Sequence, residues 1–178
     1  VSLHSLSGID FCIVGHSERR LLYNESDESV KGKLETVINS NVGAILCVGE
    51  TKEQKNDNNT FNVIDAQLNI LPKDAINGLT IAYEPVWSIG TGIIPKTKNL
   101  EKQVASIKKM ITKVWKLKKP KIIYGGSVNP KNIDELKKIS SINGFLIGGA
   151  SQKTKNFIDI IKKTINYSTW KIFFLELI

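Results

Sequence analysis

Short apolar runs alternate along the chain with longer stretches in which apolar residues recur at helical spacing. "GIDFCIVG" (8–15), "VGAILCVG" (42–49), "GLTIAYEP" (78–85), "PKIIYGGS" (120–127) and "GFLIGGAS" (144–151) are rich in Ile and Val and show little alternation. That pattern predicts five buried parallel strands, covered on both faces. Between them, Val30, Leu34, Val37 and Ile38 follow an i, i+4, i+7, i+8 spacing, and Leu100, Val104, Ile107 and Ile111 make a second amphipathic stripe. Ile133, Leu136 and Ile139 form a shorter stripe, and Phe157, Ile158, Ile161 and Ile165 close the series. Residues 51–60 read as a polar, Asn-rich loop leading into a weak helix over 61–70. Repeated strand–helix units predict an α/β chain with a parallel sheet, either doubly wound or closed into a barrel. No linker divides the chain.

With 178 residues, 41% hydrophobic and 24% charged, the composition is that of a folded globular chain. The formal charge of +8 raises the question of nucleic acid. Of the 25 basic residues, however, only Arg19 and Arg20 are arginine, the lysines are scattered, and there are no aromatic stacking platforms. A solvated basic surface that favours an anionic substrate accounts for the charge. Cys12 and Cys47 lie inside apolar runs with no CxxC and no His pair, as reduced core thiols and not a disulfide frame or metal site. There is no leader pattern, and the apolar stretch 165–178 is too short and too charged to span a bilayer. The expectation is a cytoplasmic protein that binds neither nucleic acid nor membrane.

In parallel α/β folds the chemistry gathers beyond the carboxyl ends of the strands. Those ends here are "GHSERR" (15–20), "CVGE" (47–50), Glu84 with its glycine-rich loop, "GGSV" (125–128) and "GGAS" (148–151). An imidazole, a carboxylate and two diglycine turns therefore converge on one rim, a set suited to proton transfer on an anion. Each diglycine reads either as a tight turn or as a cradle whose backbone N–H groups approach a phosphate. Gly90-Thr91-Gly92 would begin a dinucleotide fingerprint, but Pro95 stands at its third glycine position, so that reading fails. His16 is either a strand-end cap or a ring held at the start of a helical turn, where it is kept neutral and able to donate to a carbonyl oxygen. Glu18 and Arg20 read as a local ion pair supporting that turn.

"VGHSERR", "AYEPVWSIGTG", "YGGSV" and "GFLIGGAS", in this order and spacing, resemble the triose-phosphate isomerase family from about Gly8 to Ile165. The resemblance implies a TIM (β/α)8 barrel, of which five βα units resembling strands four to eight are present. It also implies an isomerase that interconverts dihydroxyacetone phosphate and glyceraldehyde 3-phosphate in glycolysis and gluconeogenesis, without cofactor or metal; the handling of protons in this family is itself a known worked case of pKa tuning. By motif, Glu84 is the general base and His16 the neutral electrophile. Glu18 supports the site and Cys47 packs behind it. Pro85 to Ile94 form a lid, with Pro85, Val86, Trp87, Thr91 and Gly92 at its hinges and tip. Backbone N–H groups of Gly90, Ser127, Gly148 and Gly149 hold the substrate phosphate.

The family pattern also contains an opening strand bearing an Asn and a Lys, and a dimer loop after its third strand; neither motif occurs in this chain. The family is a homodimer, so its dimer contact is expected to be incomplete here. An arc of five strands is expected to leave two unpaired edges and an apolar inner face exposed. Such a chain is expected to be a truncated and nearly inactive isomerase, or a partial barrel acting only through association with another chain. The tail 166–178 does not resemble the family, and its Trp170, Phe173 and Phe174 are candidates to pack against the opened barrel.

Overall fold

A computed structural model of the chain describes residues 9–40, 42–72, 78–115, 119–165 and 172–175. The apolar runs form β1 (Phe11–Val14), β2 (Gly43–Val48), β3 (Leu79–Tyr83), β4 (Lys121–Tyr124) and β5 (Gly144–Ile147). All pair in parallel with their sequence neighbours: Phe11 faces Gly43, Ala44 faces Leu79, Thr80 faces Lys121 and Ile123 faces Gly144. β4 and β5 share only two residue pairs. Asn143 extends that seam, accepting from Ile122 N–H through its side chain at 3.0 Å while its own N–H donates to Ile122 O at 2.7 Å.

The sheet has six strands, one more than the five apolar runs predict. β6 (Ile172–Leu175) lies in the tail and pairs in parallel with β5, Gly144 facing Ile172 and Ile147 facing Leu175. The tail backbone thus covers the edge of β5 that a five-strand arc would leave open. Phe173 and Phe174 lie on β6, of which the backbone alone is described; Trp170 lies outside the described residues. At the opposite edge, β1 pairs only with β2 among the described residues, and Phe11 is 41% exposed.

Two apolar layers fill the sheet's faces. On the helical side, Leu46, Val48, Ile81, Tyr83, Ile122, Tyr124, Phe145 and Ile147 pack with the helices. On the other face Ile45, Cys47, Ala82, Ile123 and Leu146 form a smaller cluster, with Ile13 against it. Ile45, Cys47, Ala82, Ile123 and Leu146 are at most 2% exposed, while towards the open edge, on the same face, Ile13 is half-buried and Phe11 exposed, so the expected apolar exposure is confined to the β1 side among the described residues.

The helices are α1 (Ser17–Leu22), α2 (Asp27–Asn39), α3 (Lys52–Asn56), α4 (Thr60–Leu68), α5 (Thr97–Trp115), α6 (Ile133–Leu136) and α7 (Thr154–Ile165). The stripe Leu100, Val104, Ile107 and Ile111 on α5 is wholly buried. Each such side chain contributes about 1.5–3 kcal/mol relative to an exposed one. α2 starts where Ser26 accepts from Ser29 N–H, with Asp27 and Glu28 in its first turn favouring the positive end of the helix dipole. α3 occupies part of the segment read as a loop. It has no buried residue and is set instead by a capping box, in which Thr51 and Gln54 satisfy each other's backbone N–H. The stripe at 133–139 yields only the single α-helical turn α6.

Candidate active site

β1 delivers the imidazole. Gly15 turns the chain out of the strand at φ +72°, a conformation that favours glycine, and a Cβ there would lie 2.9 Å from Val30 Cγ1. His16, 7% exposed, then caps α1, its Nδ1 accepting from Glu18 N–H at 3.4 Å. A neutral ring that accepts at Nδ1 carries its proton on Nε2. That atom lies 3.4 Å from Glu84 Oε1.

Arg20 secures the turn, but not through Glu18. Its Nε donates to Gly15 O at 3.0 Å and its Nη1 lies 2.5 Å from Asp27 Oδ1. The guanidinium therefore ties the β1 exit to the start of α2, where the expected Glu18–Arg20 pair would have tied it only to its own turn. Glu18 meets the site through its backbone N–H. Below them Glu25 accepts from Arg19 and Lys33. Burial pushes its carboxyl up, yet the hydrogen bonds and charges of Lys33 and Arg19 outweigh burial and hold it below the ordinary value.

Glu84, 2% exposed, follows the last residue of β3, and its N–H donates to Val48 O at 2.8 Å. Two glycines leave room for it. A Cβ at Gly49 would lie 1.8 Å from Glu84 O, and one at Gly125 would lie 2.8 Å from Glu84 Cγ. Gln67 fixes Gly49 from α4, accepting from its N–H at 2.8 Å and donating to its carbonyl at 3.1 Å. A cavity of about 110 Å³ opens beside these groups, lined among others by Gly15, Cys47, Gly49, Gln67, Glu84 and Val86. Cys47 is buried in the inner-face cluster, and neither it nor Cys12 is in a disulfide. Among the described residues no group of His, Cys, Asp and Glu is arranged to hold a metal ion.

The next carboxylate along, Glu50, is fully buried at the end of β2. It accepts from Trp87 Nε1 at 2.9 Å and from the Tyr83 hydroxyl at 3.2 Å, and its carbonyl accepts from Val86 N–H at 3.0 Å. Lys55 stands 3.4 Å from the Trp87 ring centroid, a cation–π contact. Burial raises the Glu50 carboxyl above its ordinary range, against the opposing hydrogen bonds of Trp87 and Tyr83 and the charge of Lys55. Burial, then the Glu50 charge, pushes the Tyr83 phenol up as well.

The segment expected to be a lid leaves β3 through Pro85 into a 3-10 turn, Val86–Ser88, and passes two left-handed glycines, Gly90 at φ +69° and Gly92 at φ +76°. Gly90, Thr91, Gly92 and Ile93 are exposed. Thr91 Oγ1 donates to Ser88 O at 2.9 Å and accepts from Ile93 N–H, so the tip is bonded within itself. Ser88 is fully buried, and its Oγ is within hydrogen-bonding distance of Ile93 O, the Tyr124 hydroxyl and Ser127 N–H. Burial pushes the Tyr124 phenol up to about 12.

The first diglycine turn is shaped by close packing, since a Cβ at Gly126 would lie 2.2 Å from the Tyr124 hydroxyl. Asn132 holds the turn's exit, donating to Ser127 O at 2.8 Å. The second follows β5, where Gly148 precedes a 3-10 turn, Gly149–Gln152, and Ser151 bonds back to Gly148 O. A Cβ at Gly149 would meet nothing within 4 Å.

The structure thus brings the buried His16 and Glu84 together with the Glu18 N–H, and links Ser127 to Ser88 on the loop after β3. Gly148 and Gly149 stand at the end of β5, two strands from Glu84. Sequence reasoning missed Glu50, Gln67, Tyr83, Ser88 and Tyr124 as members of the site. Glu50 left one signal, its place after "CVG" at a strand end; the others are read only across strands.

A parallel sheet of βα units, with a histidine and a carboxylate facing each other beyond the strand ends, defines an α/β chain of the incomplete-barrel kind. The family model described as Triosephosphate isomerase matches residues 2–164. Curated relatives carrying that name include proteins of Bradyrhizobium sp., 42% identical over 160 residues, of Malacoplasma penetrans, 38% over 162, and of Emericella nidulans, 40% over 162. These alignments cover 87–88% of this chain and 64–65% of the relatives' own length, so the chain spans somewhat under two thirds of the proteins it matches. The chain belongs to the triosephosphate isomerase family.

Proposed function

We propose that the chain carries the proton-transfer and phosphate-holding part of a triose-phosphate isomerase site. Glu84 takes the proton from the carbon beside the substrate carbonyl. His16 Nε2–H donates toward the carbonyl oxygen, stabilising the enediolate that forms. Return of a proton to the neighbouring carbon completes the conversion of dihydroxyacetone phosphate to glyceraldehyde 3-phosphate, with no net change in atoms or electrons. The N–H groups of Gly90, Ser127, Gly148 and Gly149 are assigned to the phosphate, and the Pro85–Ile94 lid to excluding water. Residues 1–165 form the family portion and 166–178 a tail outside it.

The observation that carries this reading is the His16–Glu84 geometry. The Nδ1 of His16 is occupied by Glu18 N–H, so the proton of a neutral ring faces the carboxylate at 3.4 Å. These 178 residues span somewhat under two thirds of the relatives' length, so full turnover is not the measure of this part of the site. The test therefore follows the partial reaction. Dihydroxyacetone phosphate is incubated with the chain in deuterated water, and deuterium entry at its hydroxyl-bearing carbon is measured by NMR. Exchange above background that is lost in Glu84→Gln is expected; equal exchange in both proteins, or none in either, refutes the reading.

A further inference from the structure

We propose that Ser88 is a latch that couples lid position to occupancy of the first phosphate turn, an inference that rests on the isomerase reading above. One hydroxyl group joins three segments. Ser88 Oγ donates to Ile93 O at 2.6 Å, on the far side of the lid tip. Its single proton is then spent, so it accepts from the Tyr124 hydroxyl at 3.0 Å and from Ser127 N–H at 3.3 Å. Fully buried, it has its hydrogen-bonding capacity filled in this lid position.

The consequence lies with Ser127. Its N–H is one of the donors assigned to phosphate, and here it is held by a lid side chain. A phosphate oxygen is the stronger acceptor, because a charged acceptor makes the shorter and tighter hydrogen bond. When it captures the Ser127 N–H, Ser88 loses one of its two bonds to the β4 turn, keeping only Tyr124. The tip cannot respond piecemeal, since Ser88 Oγ to Ile93 O, Thr91 Oγ1 to Ser88 O and Ile93 N–H to Thr91 Oγ1 bind residues 88–93 into one unit. Phosphate arrival at Ser127 thus loosens the whole tip from the turn, and the tip in this position competes with phosphate. Gly126 is part of the device, because a Cβ there would lie 2.8 Å from Ser88 Oγ and wedge lid and turn apart.

The experiment titrates the ¹⁵N-labelled 178-residue chain with inorganic phosphate and follows the Ser127 and Thr91 amides by NMR. In the parent the two signals move with one midpoint; separate midpoints overturn the latch without any variant. Ser88→Ala removes the competing acceptor, so phosphate affinity rises about threefold or more, and Thr91 no longer follows Ser127. Tyr124→Phe leaves the Ser88–Ser127 bond in place and keeps the shared midpoint. A folded Ser88→Ala chain that binds phosphate no more tightly than the parent overturns the latch while leaving the isomerase reading intact. Failure of the parent itself to bind phosphate overturns both.

Discussion

Gly49→Ala sets the backbone of β2 against that of β3 at the base of the site. The added Cβ would lie 1.8 Å from Glu84 O and 2.5 Å from Glu84 C, both backbone atoms that no rotamer change can move aside. Reaching the 3.4 Å at which ordinary contact begins requires roughly 1.6 Å of displacement, far more than a packed core absorbs without strain. Such a shift also pulls on Glu84 N–H to Val48 O and on both Gln67 bonds to Gly49. Overpacking costs about 1–3 kcal/mol and a disrupted buried backbone hydrogen bond about 1–3 kcal/mol, so the substitution is worth about 2–6 kcal/mol. That is a large share of a typical total of about 5–15 kcal/mol. Urea unfolding followed by circular dichroism measures it, with a midpoint expected to fall by about 1 M or more. Gly32→Ala serves as the internal control. Gly32 lies within α2, a Cβ there meets nothing within 4 Å, and alanine should stabilise the chain by about 0.5–1 kcal/mol. A Gly49→Ala midpoint equal to the parent's, beside the expected gain at Gly32, would refute the close approach of β2 to Glu84.

Gly149→Ala separates binding from folding, because its Cβ enters open space and its φ is not left-handed. Its urea midpoint should stay within about 0.5 kcal/mol of the parent, while phosphate affinity, read by NMR titration, falls several-fold. Glu25 and Glu50 are shifted in opposite directions and give acid limbs of opposite sign. Glu25 is held below its ordinary value of 4.5, so its contribution is complete above that value and is lost as pH falls through its folded pKa; Glu25→Gln should flatten the acid loss of stability in urea midpoints against pH. Glu50 is raised above 4.5, so its contribution is complete below that value and is lost as pH rises through its folded pKa; Glu50→Gln should remove that decline.

Why the sequence reveals His16 and Glu84 but hides Glu50 and Ser88 is a matter of which distances local patterning encodes. A parallel strand buried on both faces writes itself as an Ile- and Val-rich run, and where it stops, the next polar side chain must stand at the rim. Glu84 follows Tyr83 at the end of β3, and His16 follows the turn out of β1, so both are placed by their own segments. Glu50 stands equally close to a strand end, yet what defines it is a hydroxyl and an indole 33 and 37 residues away. No spacing within one segment specifies that meeting; it follows from the register that sets Val48 opposite Tyr83. Ser88 is hidden in the same way, because its partners on the β4 turn are 36 and 39 residues distant and meet it only once β3 and β4 pair. Elsewhere the limit is energetic. α3 buries nothing and so has no apolar period to announce it, only the Thr51–Gln54 box. β6 is apolar enough to be noticed, but a strand that joins a sheet by backbone bonding is chosen by the edge that awaits it. That edge belongs to β5, and it is the fold, not the tail's own pattern, that creates the vacancy the tail backbone occupies.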